Sequence, residues 1–160
     1  MTTILYPTRG GESAYHNQDW AVSLAREREA DLLLLFVSNV HFLDRTAAPV
    51  RLDLIEAEME DLGAFLLAMA QERVEKAGLK AETVVRSGEF VNALEEIIQE
   101  KGISIVVLGC PTDDTGITTV GYVSDVAKRL QASSNVEVYV VGEGRIVIHL
   151  LPTQKSGEFS

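Results

Sequence analysis

Two kinds of hydrophobic pattern alternate along the chain. Short runs rich in apolar and β-branched residues occur at 3–7, 32–37, 81–86, 103–109 and 136–141. Between them, apolar residues return every three or four positions. The runs predict strands, and the most continuous, Leu32-Leu33-Leu34-Leu35-Phe36-Val37, suits a strand buried on both faces. The spaced stretches predict helices over 12–29, 53–77, 89–101 and 120–132. In the first, Ala14, Ala21, Leu24, Ala25 and Arg28 share one face, with Trp20 in the core or at the helix edge beside them. In the longest, Ile55, Met59, Leu62, Phe65, Leu66, Met69, Ala70, Val74 and Ala77 form the face expected to pack on the core. Val91, Leu94, Ile97 and Ile98 form the third stripe, and Val123, Ala127 and Leu130 the fourth. Gly78 and Gly102 stand where helices end on a left-handed residue. A sixth extended segment follows at 145–151, and 152–160 reads as a disordered tail.

Strands alternating with helices call for a parallel, Rossmann-like sheet covered on both faces, joined by right-handed crossovers. Residues 1–151 are expected to form a single domain. Such sheets bind ligands at the carboxyl ends of their strands, where the strand order reverses. The loops concerned are 8–12, 37–39 and 109–122. The third is the most suggestive. A buried run ends at Gly109, passes through a polar loop and enters a helix whose free N–H groups favour an anion.

Charge narrows the partners. Fourteen basic against twenty-four acidic residues leave a net charge of −10, which repels nucleic acid and anionic membranes. No apolar run approaches the roughly 18–20 residues that span a bilayer, and the start does not read as a signal peptide. The single cysteine, Cys110, cannot form an internal disulfide, which fits a reducing cytoplasm. It is expected to be a semi-exposed, inert thiol. His16 and His149 are isolated and read as structural or surface residues, and His41 as a loop histidine. No metal spacing and no nucleophile triad is visible, so no catalytic residue is expected.

The order and spacing of several segments resemble the universal stress protein family. They are Ile4-Leu5-Tyr6-Pro7-Thr8, Ala21-Val22-Ser23-Leu24-Ala25, Leu34-Leu35-Phe36-Val37 and Ser87-Gly88 before a helix. To these add Ile105-Val106-Val107-Leu108-Gly109, Gly121-Tyr122-Val123-Ser124 and the run 136–141. The resemblance covers residues 3–141. It implies an adenine nucleotide alpha hydrolase-like fold with a five-stranded parallel sheet of order 3-2-1-4-5, here with an extra C-terminal strand. It also implies a homodimer paired through the C-terminal strands and a regulatory role under stress. In the nucleotide-binding branch, ATP or AMP with Mg²⁺ lies over the ends of strands 1 and 4. Carried onto this chain, that site comprises Pro7, Thr8, Arg9, Val37, Gly109, Gly121, Tyr122, Val123 and Ser124.

This chain departs from the binding pattern. Where binding members carry an aspartate after the Pro-Thr of strand 1, it has Arg9. Binding members also have a loop of glycine, two residues, glycine, nine residues, then glycine and a hydroxyl residue. Here the second glycine position is Thr112, Gly121 falls one place early and Tyr122 takes the hydroxyl position. Asp113 and Asp114 add charge that repels phosphate. Gly116, Ser124 and Arg9 are the candidates to compensate. The leading expectation is a dimeric stress regulator, acting on a protein client, with nucleotide binding lost or altered and no cofactor required. The alternative is an ATP- or AMP-binding member with an atypical pocket. A third reading, a PP-loop-type adenylating enzyme, rests on Arg9-Gly10-Gly11-Glu12-Ser13 and lacks that loop's leading serine.

Overall fold

The computed structural model describes residues 2–9, 12–38, 52–110 and 120–153. The elements in chain order are β1 (Thr3–Pro7), α1 (Glu12–Glu27), β2 (Asp31–Ser38), α2 (Leu52–Lys76) and β3 (Ala81–Ser87). Then come α3 (Phe90–Lys101), β4 (Ile105–Gly109), α4 (Val120–Ser134), β5 (Glu137–Gly142) and β6 (Arg145–Leu150). The glycine pair 10–11, the loop expected at 38–51 beyond Ser38, the loop 112–119 and the tail beyond 153 lie outside the described residues.

The strands form one sheet in the order β3-β2-β1-β4-β5-β6. Every pair is parallel except β5 with β6. The first five strands follow the expected 3-2-1-4-5 order, and β6 is the extra strand. It turns back because Glu143 and Gly144, with φ of 52° and 75°, make a two-residue turn with both φ positive. That is the turn whose twist matches a hairpin.

Both faces of the sheet are covered. Leu32, Leu34 and Phe36 point to the side packed by α1 and α2, together with Ile4, Tyr6, Ile105 and Val107. Leu33, Leu35 and Val37 point to the side packed by α3 and α4, with Leu5, Val106 and Leu108. Buried apolar side chains on alternate positions explain why these runs lack the polar alternation of a half-exposed strand.

Helix α2 is rotated from the expected phase. Its buried line is Gly63, Leu67, Ala70 and Val74, with Met59, Leu66 and Ala77 partly buried beside it. Leu62, Phe65 and Met69, expected in the core, are exposed. The cause lies at Gly63. A Cβ there would stand 2.3 Å from Cδ1 and 2.7 Å from Cγ of Phe36, so the helix backbone rests directly on the Phe36 ring. Only the face carrying the glycine can approach that closely.

A polar network fastens the hairpin to α1. Arg28, just past the end of α1, donates from both terminal nitrogens to the Glu137 carboxylate at 3.2 Å each. It also donates to the Tyr139 hydroxyl at 2.8 Å. His149 of β6 contacts the same carboxylate through Nε2 at 2.7 Å. Its ring stacks on Tyr139 with centroids 4.0 Å apart, and Tyr139 in turn meets Trp20 at 5.0 Å. So His149, isolated in the sequence, is part of a structural cluster. Burial pushes the Glu137 carboxyl up, but hydrogen bonds from Arg28, His149 and Tyr139 outweigh it and hold the group at about 2.

Two outcomes follow for stability. Gly63→Ala should destabilise the fold by about 1–3 kcal/mol through overpacking, although alanine is the better helix former by about 1 kcal/mol. Urea unfolding checks this, and the cost should shrink in a Phe36→Leu background. The second concerns Glu137, whose carboxyl is depressed in the folded state. Its contribution is therefore present above its ordinary value of 4.5 and is lost as pH falls towards about 2. In Glu137→Gln that segment of the stability-pH curve should flatten. The variant should also be less stable at pH 7 by about 1–2 kcal/mol, because Arg28 and His149 lose a charged hydrogen-bond partner while keeping contact with water.

Candidate functional site

The strand order reverses between β1 and β4, since β1 continues to β2 and β3 while β4 leads to β5. These two strands are in register only at Ile4–Ile105 and Leu5–Val106. Beyond those pairs β1 runs on against β2 as far as Pro7–Leu35, and β4 against β5 as far as Gly109–Val141. The crevice expected at a switch point therefore opens above Leu5 and Val106.

Pro7 closes β1, and Thr8 and Arg9 follow it. Thr8 is buried, its N–H donates to Leu35 O at 2.8 Å, and its side chain hydrogen-bonds to Tyr6. Tyr6 in turn donates to Ala14 O at 3.0 Å, and burial raises its phenol far above the ordinary range. The Thr8 hydroxyl thus serves the turn into α1. Arg9 is exposed.

Across the crevice, Gly121, Tyr122, Val123 and Ser124 form the first turn of α4. Gly121 is exposed and Ser124 half-buried. Tyr122 is 41% exposed. Its phenol is pushed up by burial and by Glu89, while Arg9 and Arg129 pull the other way. Arg9, Arg129 and Glu89, at the start of α3, thus all lie within electrostatic range of the Tyr122 phenol. Glu89 accepts the Asn92 N–H at 2.7 Å as the cap of α3. Arg129 donates to Asn92 Oδ1 and Glu95 Oε1 at 3.2 Å each.

Two of the expected site residues with apolar side chains are turned into the core. Val37 and Val123 are buried in the core on the α3 and α4 side, because alternation and helix phase turn them inward. Cys110 is also buried, which corrects the expectation of a semi-exposed thiol. Its N–H continues the β4–β5 ladder to Val141 O at 2.7 Å, and its Cβ lies 3.5 Å from where a Gly142 Cβ would stand. Gly116 and the two aspartates of the loop lie outside the described residues.

Asn17 was not anticipated. It is buried in α1, its Nδ2 is 3.4 Å from where a Gly109 Cβ would stand, and its Oδ1 accepts the Gly144 N–H at 3.0 Å. One side chain thus ties α1 to the β5–β6 turn and passes beside the end of β4. Its position three residues after Ala14 and four before Ala21, on the buried face, was the available signal.

A groove of about 410 Å³ lies at the other end of the sheet, lined by Glu95, Ile98, Gln99, Ile103, Ser133 and Ser134. It lacks a basic group and stands apart from the crevice. Among the described residues no three His, Cys, Asp or Glu side chains are grouped to hold a metal ion, and no helix is long and apolar enough to cross a membrane.

Known proteins share this architecture. Universal stress protein YxiE of Bacillus subtilis is 29% identical over 113 residues, covering 66% of this chain and 76% of its own length. A universal stress protein of Methanocaldococcus jannaschii is 25% identical over 138 residues, covering 86% and 80%. A crystal structure from the family in Burkholderia pseudomallei superposes with a TM-score of 0.65 at 23% identity, covering 88% of this chain and 95% of that one. A universal stress protein in complex with cAMP gives a TM-score of 0.62 at 23% identity, covering 88% and 96%. One from Arabidopsis thaliana with AMP bound gives 0.61 at 14% identity, covering 89% and 92%. The model described as the universal stress protein family matches residues 1–142. This chain belongs to the universal stress protein family.

Proposed function

We propose that this protein is a cytoplasmic stress-response regulator that acts as a homodimer, with the nucleotide crevice of its family altered so that ATP is not held tightly. The observation that carries the reading is Tyr122, which stands exposed in the first turn of α4 with Arg9 and Glu89 in electrostatic range. A bulky, exposed phenol occupies the first turn of α4, where a phosphate would need a small hydroxyl and open N–H groups. Glu89 adds a negative charge beside it. A second reading, an ATP- or AMP-binding member with an atypical pocket, draws on the same pair. Arg9 supplies a cation within range of Tyr122, and solved relatives are described with cAMP or AMP bound. No residue is assigned a catalytic role in either.

The proposed dimer uses the C-terminal strands. The edge of β5 is occupied within the chain by β6, which leaves β6 as the outer edge on that side. Ile146 and Val147 on it are exposed. An apolar edge with free backbone groups favours pairing with another copy of itself.

Calorimetric titration with ATP and AMP in the presence of Mg²⁺ separates the two readings. At about 1 mM ligand, a micromolar site would add about 4 kcal/mol of stability, and a site of several millimolar under about 0.5 kcal/mol. The first reading expects no measurable heat and no thermal shift. Micromolar binding that weakens in Arg9→Ala would instead establish the second. For the dimer, light scattering should give at least twice the chain mass of 17.5 kDa, halved by Val147→Lys. A native particle of one chain mass, or one that Val147→Lys leaves unchanged, counts against pairing through β6.

A further inference from the structure

Helix α2 carries two apolar faces, and the fold uses one. The inner line, Gly63, Leu67, Ala70 and Val74, packs on the sheet. On the roughly opposite face, residues 58, 62, 65, 69, 72 and 76 recur at spacings of four and three. That is the repeat of a helix-on-helix seam. Its centre is apolar and open to solvent: Leu62 is 46% exposed, Phe65 62% and Met69 45%. Its ends are charged: Glu58 on the N-terminal side, Glu72 and Lys76 on the C-terminal side. Arg73 is not part of this face. It turns to α1, where it holds Asp19 at 2.8 and 2.9 Å and lies over the Tyr15 ring. The basic group left on the seam is Lys76, paired to Glu72 at 3.1 Å along the helix.

We propose that this outer face of α2 is an interface that pairs antiparallel with α2 of a second copy of the chain. The charges select the occupant and the direction. A parallel pair would stack Glu58 on Glu58, Glu72 on Glu72 and Lys76 on Lys76. In an antiparallel pair with a two-fold axis near residue 67, Phe65 meets the second copy's Met69 and Leu62 lies against the methylenes of the second copy's Glu72. Glu58 then meets the second copy's Lys76, and each contact occurs twice. An isologous contact of this kind closes on itself. The carboxylates along α2 and the net charge of −10 argue against an anionic lipid surface as the occupant. The face lies at the β3 end of the sheet, since α2 packs over β2 and β3. It is therefore separate from β6 at the other end.

Sedimentation equilibrium of the full chain tests the pairing. Phe65→Glu, at a position that makes no core contact, should halve the particle mass and leave the circular dichroism unchanged. Glu58→Lys and Lys76→Glu should each weaken association, and the double variant should recover it, because the opposite charges still face each other. An unchanged mass in Phe65→Glu overturns the proposal, as does a double variant that associates no better than the singles. If the native particle is larger than a dimer, Phe65→Glu and Val147→Lys should each reduce it to a dimer, and together they should yield the monomer. That pattern separates failure at α2 from failure at β6.

Discussion

The fold depends on the need to cover β2 on both faces. Residues 32–37 are all buried, three side chains to each side. No single layer can bury such a strand, so helices must lie above and below it. Parallel strands cannot be joined by short hairpins, so each connection must cross the sheet, and the crossover helices supply that cover. The chain winds one way from β1 through β2 to β3, then returns to place β4 on the other side of β1. The reversal that this winding creates is the crevice between β1 and β4. The candidate site is a consequence of how β2 is buried.

Strand positions were legible because a buried parallel strand is mostly apolar, as in β1, β2, β4 and β5, while the edge strand β3 showed itself by Thr83, Val84 and Val85 between turn residues. Helix α2 was harder to read for the same physical reason. Apolar residues surround most of it, so periodicity admitted two phases. The deciding residue was Gly63, which reads as a defect in a helix until Phe36 is found resting on it. Arg28 and Glu137 carried a comparable clue. Glu137 is a carboxylate between buried Val136 and Val138, and Arg28 is a cation one helical turn beyond buried Leu24 and Ala25. A charge in such a place needs a partner, yet the two are 109 residues apart. Nothing local in the chain joins them.

The candidate site was legible as a location more than as chemistry. Topology alone puts Arg9, Gly109 and Tyr122 at the carboxyl ends of β1 and β4. Which of their neighbours offer side chains depends on the phase of α4 and the parity of β2, and this turned Val37 and Val123 inward. Side-chain competition mattered too. The hydroxyl of Thr8 is engaged with Tyr6, which anchors the turn into α1. Among the described residues, Arg9, Glu89 and Tyr122 stand on that side of the sheet with Gly109, Gly121 and Ser124.

Where the sheet ends also bears on the two proposed contacts between copies of the chain. In the order β3-β2-β1-β4-β5-β6, the exposed face of α2 and the open edge of β6 lie at opposite ends of the molecule. The two differ in kind. Strand β6 presents backbone donors and acceptors, which pair with any strand of suitable register unless charge prevents it. Helix α2 has its backbone satisfied internally and presents only side chains, so its selectivity rests on Phe65, Met69 and the charges that flank them. The Arg28–Glu137–His149 cluster acts on the first of these surfaces, because it holds the end of β6 against β5 and α1. Whatever loosens that cluster would expose β5 as a second edge, while the face of α2, held by Gly63 on Phe36, would be unaffected.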